Sequence, residues 1–460
     1  MRPTGPTATR RATGLLLGAS AALCACAPPE PPVLLVISLD TLRADHVGRR
    51  DARGEPLTPT LDALAAQGLR FSRASAQANE SLFSHRSIFM GALASAQGAL
   101  RYDAPRLPAD APTLAAAFAE AGWTTEAFVG GGHLAPSFGL DGGFQRYTSA
   151  APFSGLQATV PLAIPALEAA ARADRPALIF VHGYDLHSPY APPGPFFASE
   201  TPDYEGPLRL EVDDPLLYER LWGDALYPTF RPPQSVREDG VQVMPVEGYA
   251  ALQAHAEDPS SPRVPLSPAD LAFIRGQYAA AAALADHHLG RLLRAAQEAG
   301  LKERLTIVIF ADHGEDLGEH GTFNHRHVLA DSTLRVPLLV VGPGIAAGEE
   351  PAPVGLSGLR AALTARYGLR DRAPGSRALP LKGEPPPPGP VASESMRGER
   401  SLRWADRRLS APTSALGGPP PTQAPPGAVY EDDAGQPILW PPTPEDWAAL
   451  RGPPWTADAP

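Results

Sequence analysis

The sequence predicts an α/β protein: a large, mostly parallel sheet flanked by helices, with a small C-terminal subdomain. Three observations carry this. Val33-Leu34-Leu35-Val36-Ile37-Ser38-Leu39 is a nearly unbroken apolar run, the pattern of a strand buried on both faces. Comparable runs recur at Ala177–Val181 and Leu305–Phe310. Segments with helical spacing separate them, and this alternation builds a parallel sheet covered by helices.

The elements follow in order. Arg10 and Arg11 precede an apolar stretch, Leu15 to Leu23, and then small residues. This reads as an export signal, too short to span a bilayer comfortably, and no later segment is suited to do so. Leu23-Cys24-Ala25-Cys26 has the form of a lipoprotein cleavage box, and the chain has only 2 cysteines, both here. Residues 1–26 are therefore expected to be a lipoprotein-type signal with Cys26 as the acylated residue. A plain secretory signal with incidental cysteines is the alternative. The mature chain would be exported and lipid-anchored at the cell envelope, in the periplasm or at the outer membrane. It would contain neither a disulfide nor a cysteine metal site.

The main domain is expected over residues 33–372. Its first strand stops at Asp40. Thr58 to Gly68 has helical spacing, with Leu61, Leu64 and Ala65 on one face and Thr58-Pro59 as the start. Thr113 to Gly122 is a second helix, leading into a strand at Thr125–Val129. After the strand at 177–181, Leu271 to Gly300 reads as a long helix, Leu305–Phe310 as a strand ending at Ala311-Asp312, and Pro337–Val341 as another strand. A Pro-rich linker follows over 373–390, containing Glu384-Pro385-Pro386-Pro387-Pro388. Residues 391–460 form the small C-terminal subdomain and a Pro-rich tail, with two antiparallel strands expected within Val391–Leu409.

Composition excludes some functions. The 460 residues are 43% hydrophobic, enough for a large core, and carry a net charge of −11 with no long basic run. That excludes nucleic acid as the main partner. It does not choose between a polymeric and a small substrate, and oligomeric state is unknown from sequence.

Ligands of such sheets bind beyond the C-terminal ends of strands. Asp40, His182 and Asp312 each follow a strand, so distant parts of the chain converge there. Two carboxylates and an imidazole, from Asp40 and Asp312-His313, suit a divalent cation with mixed oxygen and nitrogen ligands. The segment Asp312-His313-Gly314-Glu315-Asp316-Leu317-Gly318-Glu319-His320-Gly321 crowds polar residues and glycines directly after a buried strand, which a plain surface loop does not require.

Ser38-Leu39-Asp40-Thr41-Leu42-Arg43-Ala44-Asp45-His46 resembles the opening motif of bacterial sulfatases, in the alkaline-phosphatase-like superfamily. Thr58-Pro59-Thr60-Leu61-Asp62, Ala127-Phe128-Val129, Phe138-Gly139-Leu140-Asp141-Gly142-Gly143-Phe144 and His182-Gly183-Tyr184-Asp185-Leu186-His187-Ser188-Pro189-Tyr190 are similar to the segments that follow in that family. The Asp312 segment, Arg335-Val336-Pro337-Leu338 and Val391-Ala392-Ser393-Glu394-Ser395 complete the series in the family's order. The resemblance implies the family's fold and assigns roles. Asp40, Asp312 and His313 would bind one divalent ion (Ca, Mg, Mn or Zn), with Ser81 touching it as the nucleophile. His187 would bind the substrate oxyanion or protonate the leaving group. His325, or the adjacent Arg326, would occupy the basic position before the Arg335 strand. His182, His320 and His327 are weaker candidates.

The nucleophile segment, Ser81-Leu82-Phe83-Ser84-His85-Arg86-Ser87-Ile88-Phe89-Met90-Gly91, departs from the family pattern. Phe83 stands in place of Pro, His85 in place of Arg, and Met90 in place of Thr. His85 joins the catalytic set by occupying that Arg position. The departure predicts that Ser81 stays serine rather than becoming formylglycine, and that phosphate or phosphonate esters are preferred to sulfate esters. The expected function is metal-dependent hydrolysis of a sulfate, phosphate or phosphonate ester outside the cytoplasm. Transfer of a phosphoryl-linked head group, or non-catalytic binding on a degenerate fold, are the alternatives.

Overall fold

In chain order the computed structural model runs β1 (Val33–Leu39), α1 (Pro59–Gln67), β2 (Leu69–Phe71), β3 (Ala74–Ser75), α2 (Ser81–Met90), α3 (Leu114–Glu120), β4 (Thr124–Val129), β5 (Arg146–Ser149), α4 (Leu156–Arg172), β6 (Ala177–Gly183), β7 (Val236–Glu238), β8 (Val241–Val243), α5 (Pro268–Glu298), β9 (Leu305–Phe310), α6 (Asp331–Leu334), β10 (Arg335–Val336), β11 (Leu338–Val341), β12 (Gly348–Glu350), β13 (Val354–Gly355), α7 (Gly358–Arg366), β14 (Val391–Glu394), β15 (Glu399–Arg403), β16 (Arg407–Pro412), β17 (Val429–Asp432) and α8 (Pro444–Arg451). The structure describes residues 1, 30–101, 106–188, 190, 192, 196, 204–205, 236–238, 241–243, 267–320, 323–326, 328–372, 377–381, 389–417, 423–425, 428–432, 436–438 and 442–451. The expected signal with Cys24 and Cys26, the Glu384–Pro388 run, Pro189, His327 and the tail beyond 451 lie outside these residues.

All seven residues of β1 are at most 2% exposed. Parallel strands covered by helices have no solvent side, which is why this run contains almost no polar residue. β1 is central in an eight-stranded sheet of order β12-β2-β11-β9-β1-β6-β4-β5. It runs parallel to β6 and β9, and β4 and β5 continue the same direction. β11 is reversed, antiparallel to both β9 and β2. The sheet is thus mostly parallel, as expected.

Helix α2 lies under the site, and its residues Ser81 to Phe89 are all buried. It ends at Gly91, whose φ of +69° gives the left-handed turn that closes helices at low cost for glycine. α5 starts from a Ser267–Asp270 capping box with Pro268 at its first turn. It packs on α1 and α4. Asp286 of α5 fixes the start of α1 by accepting the Thr60 and Leu61 amides at 2.9 and 2.8 Å.

Residues 391–432 add a four-stranded antiparallel sheet of order β14-β15-β16-β17, where two strands were expected. Its edge touches the segment leading into α2: the Glu394 amide donates to Gln77 O at 2.9 Å and Ser393 Oγ to Ala76 O at 2.6 Å. Among the described residues no helix is long and apolar enough to cross a membrane.

Candidate active site

The register pairs Ser38 of β1 with Phe310 of β9 and with His182 of β6. Asp40 and Asp312 therefore leave neighbouring strands side by side. The turn after Asp40 is strained: Thr41 has φ +59°, a region costly for a β-branched residue. It is held from two sides. The Thr41 amide donates to Asp312 Oδ1 at 3.3 Å, and the Tyr278 hydroxyl from α5 donates to Thr41 O at 2.6 Å. The described non-glycine residues with positive φ are Thr41, Phe153, Tyr190 and Asn324. Thr41 and Asn324 directly adjoin Asp40 and His325, and the Phe153 ring lies 5.3 Å from that of His187. Such strain collects where a site over-determines its backbone.

Ser81 is the first residue of α2, and its Oγ donates to Asp40 Oδ2 at 2.9 Å and lies 3.2 Å from His313 Nε2. Ser84, one turn on, donates to Asp312 O at 2.6 Å, which ties the helix to the strand end. His313 Nδ1 sits 2.9 Å from Gly314 O. A carbonyl only accepts, so Nδ1 carries the proton and Nε2 presents its lone pair to the site.

Asp40, Asp312 and His313 are buried and bring donor atoms within 4.8 Å of one another. Asp40 Oδ1 and Asp312 Oδ2 are sealed from solvent without a hydrogen-bond partner. Burial and the Asp40 charge push the Asp312 carboxyl above the usual carboxylate range. Burial also opposes ionisation of Asp40, but the nearby imidazoles of His182, His313 and His187 hold it below that range. Orphaned oxygens and mutual repulsion are what a bound cation would relieve, so the residues fit a divalent ion.

The other expected residues divide into two groups. His187, His325 and Arg326 come together. The His325 ring lies 4.2 Å from that of His313 and 5.4 Å from that of His187. His187 Nδ1 faces Ser188 O at 2.9 Å, leaving Nε2 without a protein partner. Arg326 Nε lies 3.9 Å from Glu80 Oε2. Burial lowers both imidazoles below the ordinary histidine range, with the other cationic groups adding to the effect at His325.

His85 is placed differently. It lies beneath the nucleophile, 0% exposed, with Nδ1 2.7 Å from Ser81 O and Nε2 3.0 Å from Ser38 Oγ. Its Nδ1 also lies 3.4 Å from Asp312 Oδ2. Both nitrogens are engaged, so it has none to offer a substrate, and its place in the catalytic set is corrected to support. The physical reason is its spacing: four residues after Ser81 on the same helix, its ring stacks under the Ser81 carbonyl.

Two contributors, His133 and Glu315, were not singled out from sequence, and a third, His182, stood there only as a weaker candidate. His182 accepts the Gly130 amide on Nδ1 at 3.4 Å and points Nε2 at Asp40 Oδ2, 3.6 Å away. His133 follows three glycines at the end of β4. Burial first, then the charges of Arg326, His187 and His313, push its imidazole well down. Glu315 lies 3.1 Å from His325 Nδ1. The glycine run was the available signal for His133: a Cβ at Gly130 would come within 2.1 Å of Ser154 O.

Comparison with known proteins gives the following. A family model described as Sulfatase matches residues 32–360. A stretch of 94 residues is 35% identical to a sulfatase of Formosa agariphila, covering 20% of this chain. Another of 127 residues is 29% identical to arylsulfatase K of Xenopus laevis, covering 28% of this chain. The matches span 18% and 21% of those relatives' own lengths. The solved phosphonate monoester hydrolase of Agrobacterium radiobacter superposes with a TM-score of 0.62 at 18% identity, over 91% of this chain and 93% of that one. At that identity the likeness establishes a shared fold.

Proposed function

Because the chain belongs to the sulfatase family, whose model matches residues 32–360, we propose that it is a hydrolase of sulfate, phosphate or phosphonate esters with Ser81 as nucleophile. The observation that carries this is the position of Ser81 Oγ, 2.9 Å from Asp40 and 3.2 Å from His313 at the N-terminus of a buried helix.

Asp40, Asp312 and His313 would hold one divalent ion beside Ser81 Oγ; when bound, such an ion stabilises charge on the transferred group and eases ionisation of the nucleophile. The chain's own groups do the rest. Asp40 Oδ2 accepts the Ser81 proton in its hydrogen bond and orients the hydroxyl. The first turn of α2 leaves amide N–H groups and a dipole that favour an anion at Ser81. Arg326 offers fixed positive charge to the ester's oxygens. His187 and His325 present ring nitrogens that bind those oxygens or deliver a proton to the leaving group.

An unmodified serine favours phosphorus over sulfur. A phosphoserine is cleared by water attack at phosphorus, whereas a sulfated serine lacks the second hydroxyl by which a formylglycine hydrate expels sulfate. Phe83 and His85 support the unmodified state, because they replace the Pro and Arg of the motif that directs the oxidation. We also place the chain at the cell envelope, anchored through Cys26, on the strength of the Leu23–Cys26 box.

The test is turnover of aryl sulfate, phosphate mono- and diester, and phosphonate monoester substrates, with and without a chelator. Wild type should turn over phosphate or phosphonate esters in a chelator-sensitive way, and Ser81→Ala should not. Equal turnover by Ser81→Ala, or binding of esters without any turnover, would remove the hydrolase reading.

A further inference from the structure

We propose that Glu315 is a positioning residue whose carboxyl holds the His325 ring so that Nε2, and not the opposite ring edge, faces the bound ester. The inference rests on the hydrolase reading above and adds a residue to it.

The polar groups of His325 are pinned one by one. Its amide donates to Asn324 Oδ1 at 2.7 Å, and its carbonyl accepts from Asn79 Nδ2 at 2.7 Å. Asn324 holds a left-handed backbone, φ +76°, directly before it. Asn79 also donates to Val328 O at 3.1 Å, so one side chain, two positions before the nucleophile, spans the loop. These bonds fix the backbone but leave the ring free to rotate. Among the described residues the hydrogen-bond partner of the ring is Glu315, whose Oε1 lies 3.1 Å from Nδ1, with side-chain exposures of 2% and 0%.

Glu315 is itself anchored. Its carbonyl accepts from Arg43 Nη1 at 3.1 Å, and Arg43 is tied to Asp45 and Glu319 at 2.6 and 2.7 Å. The preceding Gly314 amide donates to Thr333 O at 2.7 Å. With Nδ1 taken, Nε2 is the nitrogen of His325 left for the site, on a ring 4.2 Å from that of His313. A flip about the ring axis would exchange Nδ1 with a carbon and lose both the Glu315 contact and the aim of Nε2. The same device operates next door: Gly314 O holds Nδ1 of His313 and Ser188 O holds Nδ1 of His187. At His325 a side chain does the work of a backbone carbonyl, so it is open to mutation.

Two measurements test this. Wild-type turnover on the ester panel tests the hydrolase reading alone. Imidazole nitrogen spectra of ¹⁵N-histidine-labelled protein read the ring without any substrate. The signals of His325, identified by their loss in His325→Gln, should change in Glu315→Met, which keeps the volume but removes the partner. Unchanged His325 signals in Glu315→Met overturn the proposal whatever the turnover.

In kinetics, Glu315→Met should lower kcat on the order of 10- to 100-fold with little change in KM. Glu315→Gln keeps an acceptor at the same atom and should recover most of that loss. In a His325→Gln background the Glu315→Met substitution should cost nothing further. Losses that multiply in the double variant, or Glu315→Gln no better than Glu315→Met, overturn the proposal. If Glu315→Met does not fold, any loss in Glu315→Gln must still vanish in the His325→Gln background.

Discussion

Replacing Asp185 with asparagine should stabilise the protein progressively as pH rises from 4 to 8. Asp185 sits in the turn that carries His187. Its Oδ2 accepts the Leu156 amide at 2.7 Å, at the start of α4, while Oδ1 is sealed from solvent without a partner. Burial pushes the carboxyl up to about 6, and the Leu156 hydrogen bond only partly offsets it. In the unfolded chain the group releases its proton near about 3.9. Between those values the folded state keeps a proton that the unfolded state has lost. The group's stabilising contribution is therefore complete below about pH 4 and is lost as pH rises through about 6. A shift of roughly two units corresponds to about 3 kcal/mol. The residue as a whole is only half-buried, and the N-terminus of α4 favours a negative charge, so about 2 kcal/mol is the working figure. Asparagine keeps the oxygen that accepts the Leu156 amide and cannot ionise. Any fixed cost of its NH₂ group is the same at every pH. Urea unfolding of both proteins at a series of pH values, with equal m-values, should thus show the variant gaining about 2 kcal/mol on wild type between pH 4 and 8. A difference that stays flat with pH would refute this reading of the buried carboxyl.

The remaining predictions concern the site. Ser81→Ala should lower turnover by at least about 10³-fold while its metal content stays at the wild-type level, measured by elemental analysis. Asp312→Asn should lose the ion in the same analysis, and the fall in Tm that a chelator causes in wild type should be absent from it. His85→Phe should cost about 1–3 kcal/mol in urea unfolding, since it leaves Ser38 Oγ without its partner in a sealed layer and removes the ring's bond to the Ser81 carbonyl. Burial holds the His85 imidazole down to about 4, so the group stays neutral above pH 5. A pH–rate profile should accordingly contain no limb that disappears in His85→Gln.

The sheet was legible where burial leaves a mark on composition. β1 and β9 contain little but aliphatic residues, and both lie as the sequence indicates. Direction was not legible: Leu338–Val341 is as apolar as the parallel strands, yet it runs against them. A continuous apolar run reports burial on two faces and nothing about polarity. Helix α4 was missed because Pro161 and Pro165 lie inside it. Each removes a helical hydrogen bond, yet the helix persists by packing on β6 and α5. The two-residue strands β3 and β10 are too short to carry any period.

At the site, Asp40, Asp312 and His313 stood at strand ends, where sequence position and chemistry coincide, whereas Ser81 was reached only through the family resemblance. His85 shared the Ser81 motif, but its direction was set by the helical turn, which puts it below Ser81. Glu315 and His182 could not be read as supports, because their partners, His325 and Asp40, lie 10 and 142 residues away in the chain.

We propose an unmodified serine at position 81 as the nucleophile. Mass spectrometry of the peptide containing Ser81, from protein made in its native host and quenched during turnover of a phosphate ester, tests it most directly. Serine is expected at its ordinary mass, with a fraction carrying a phosphoryl group that is absent without substrate. An aldehyde or its hydrate at position 81, together with turnover confined to sulfate esters, would contradict it.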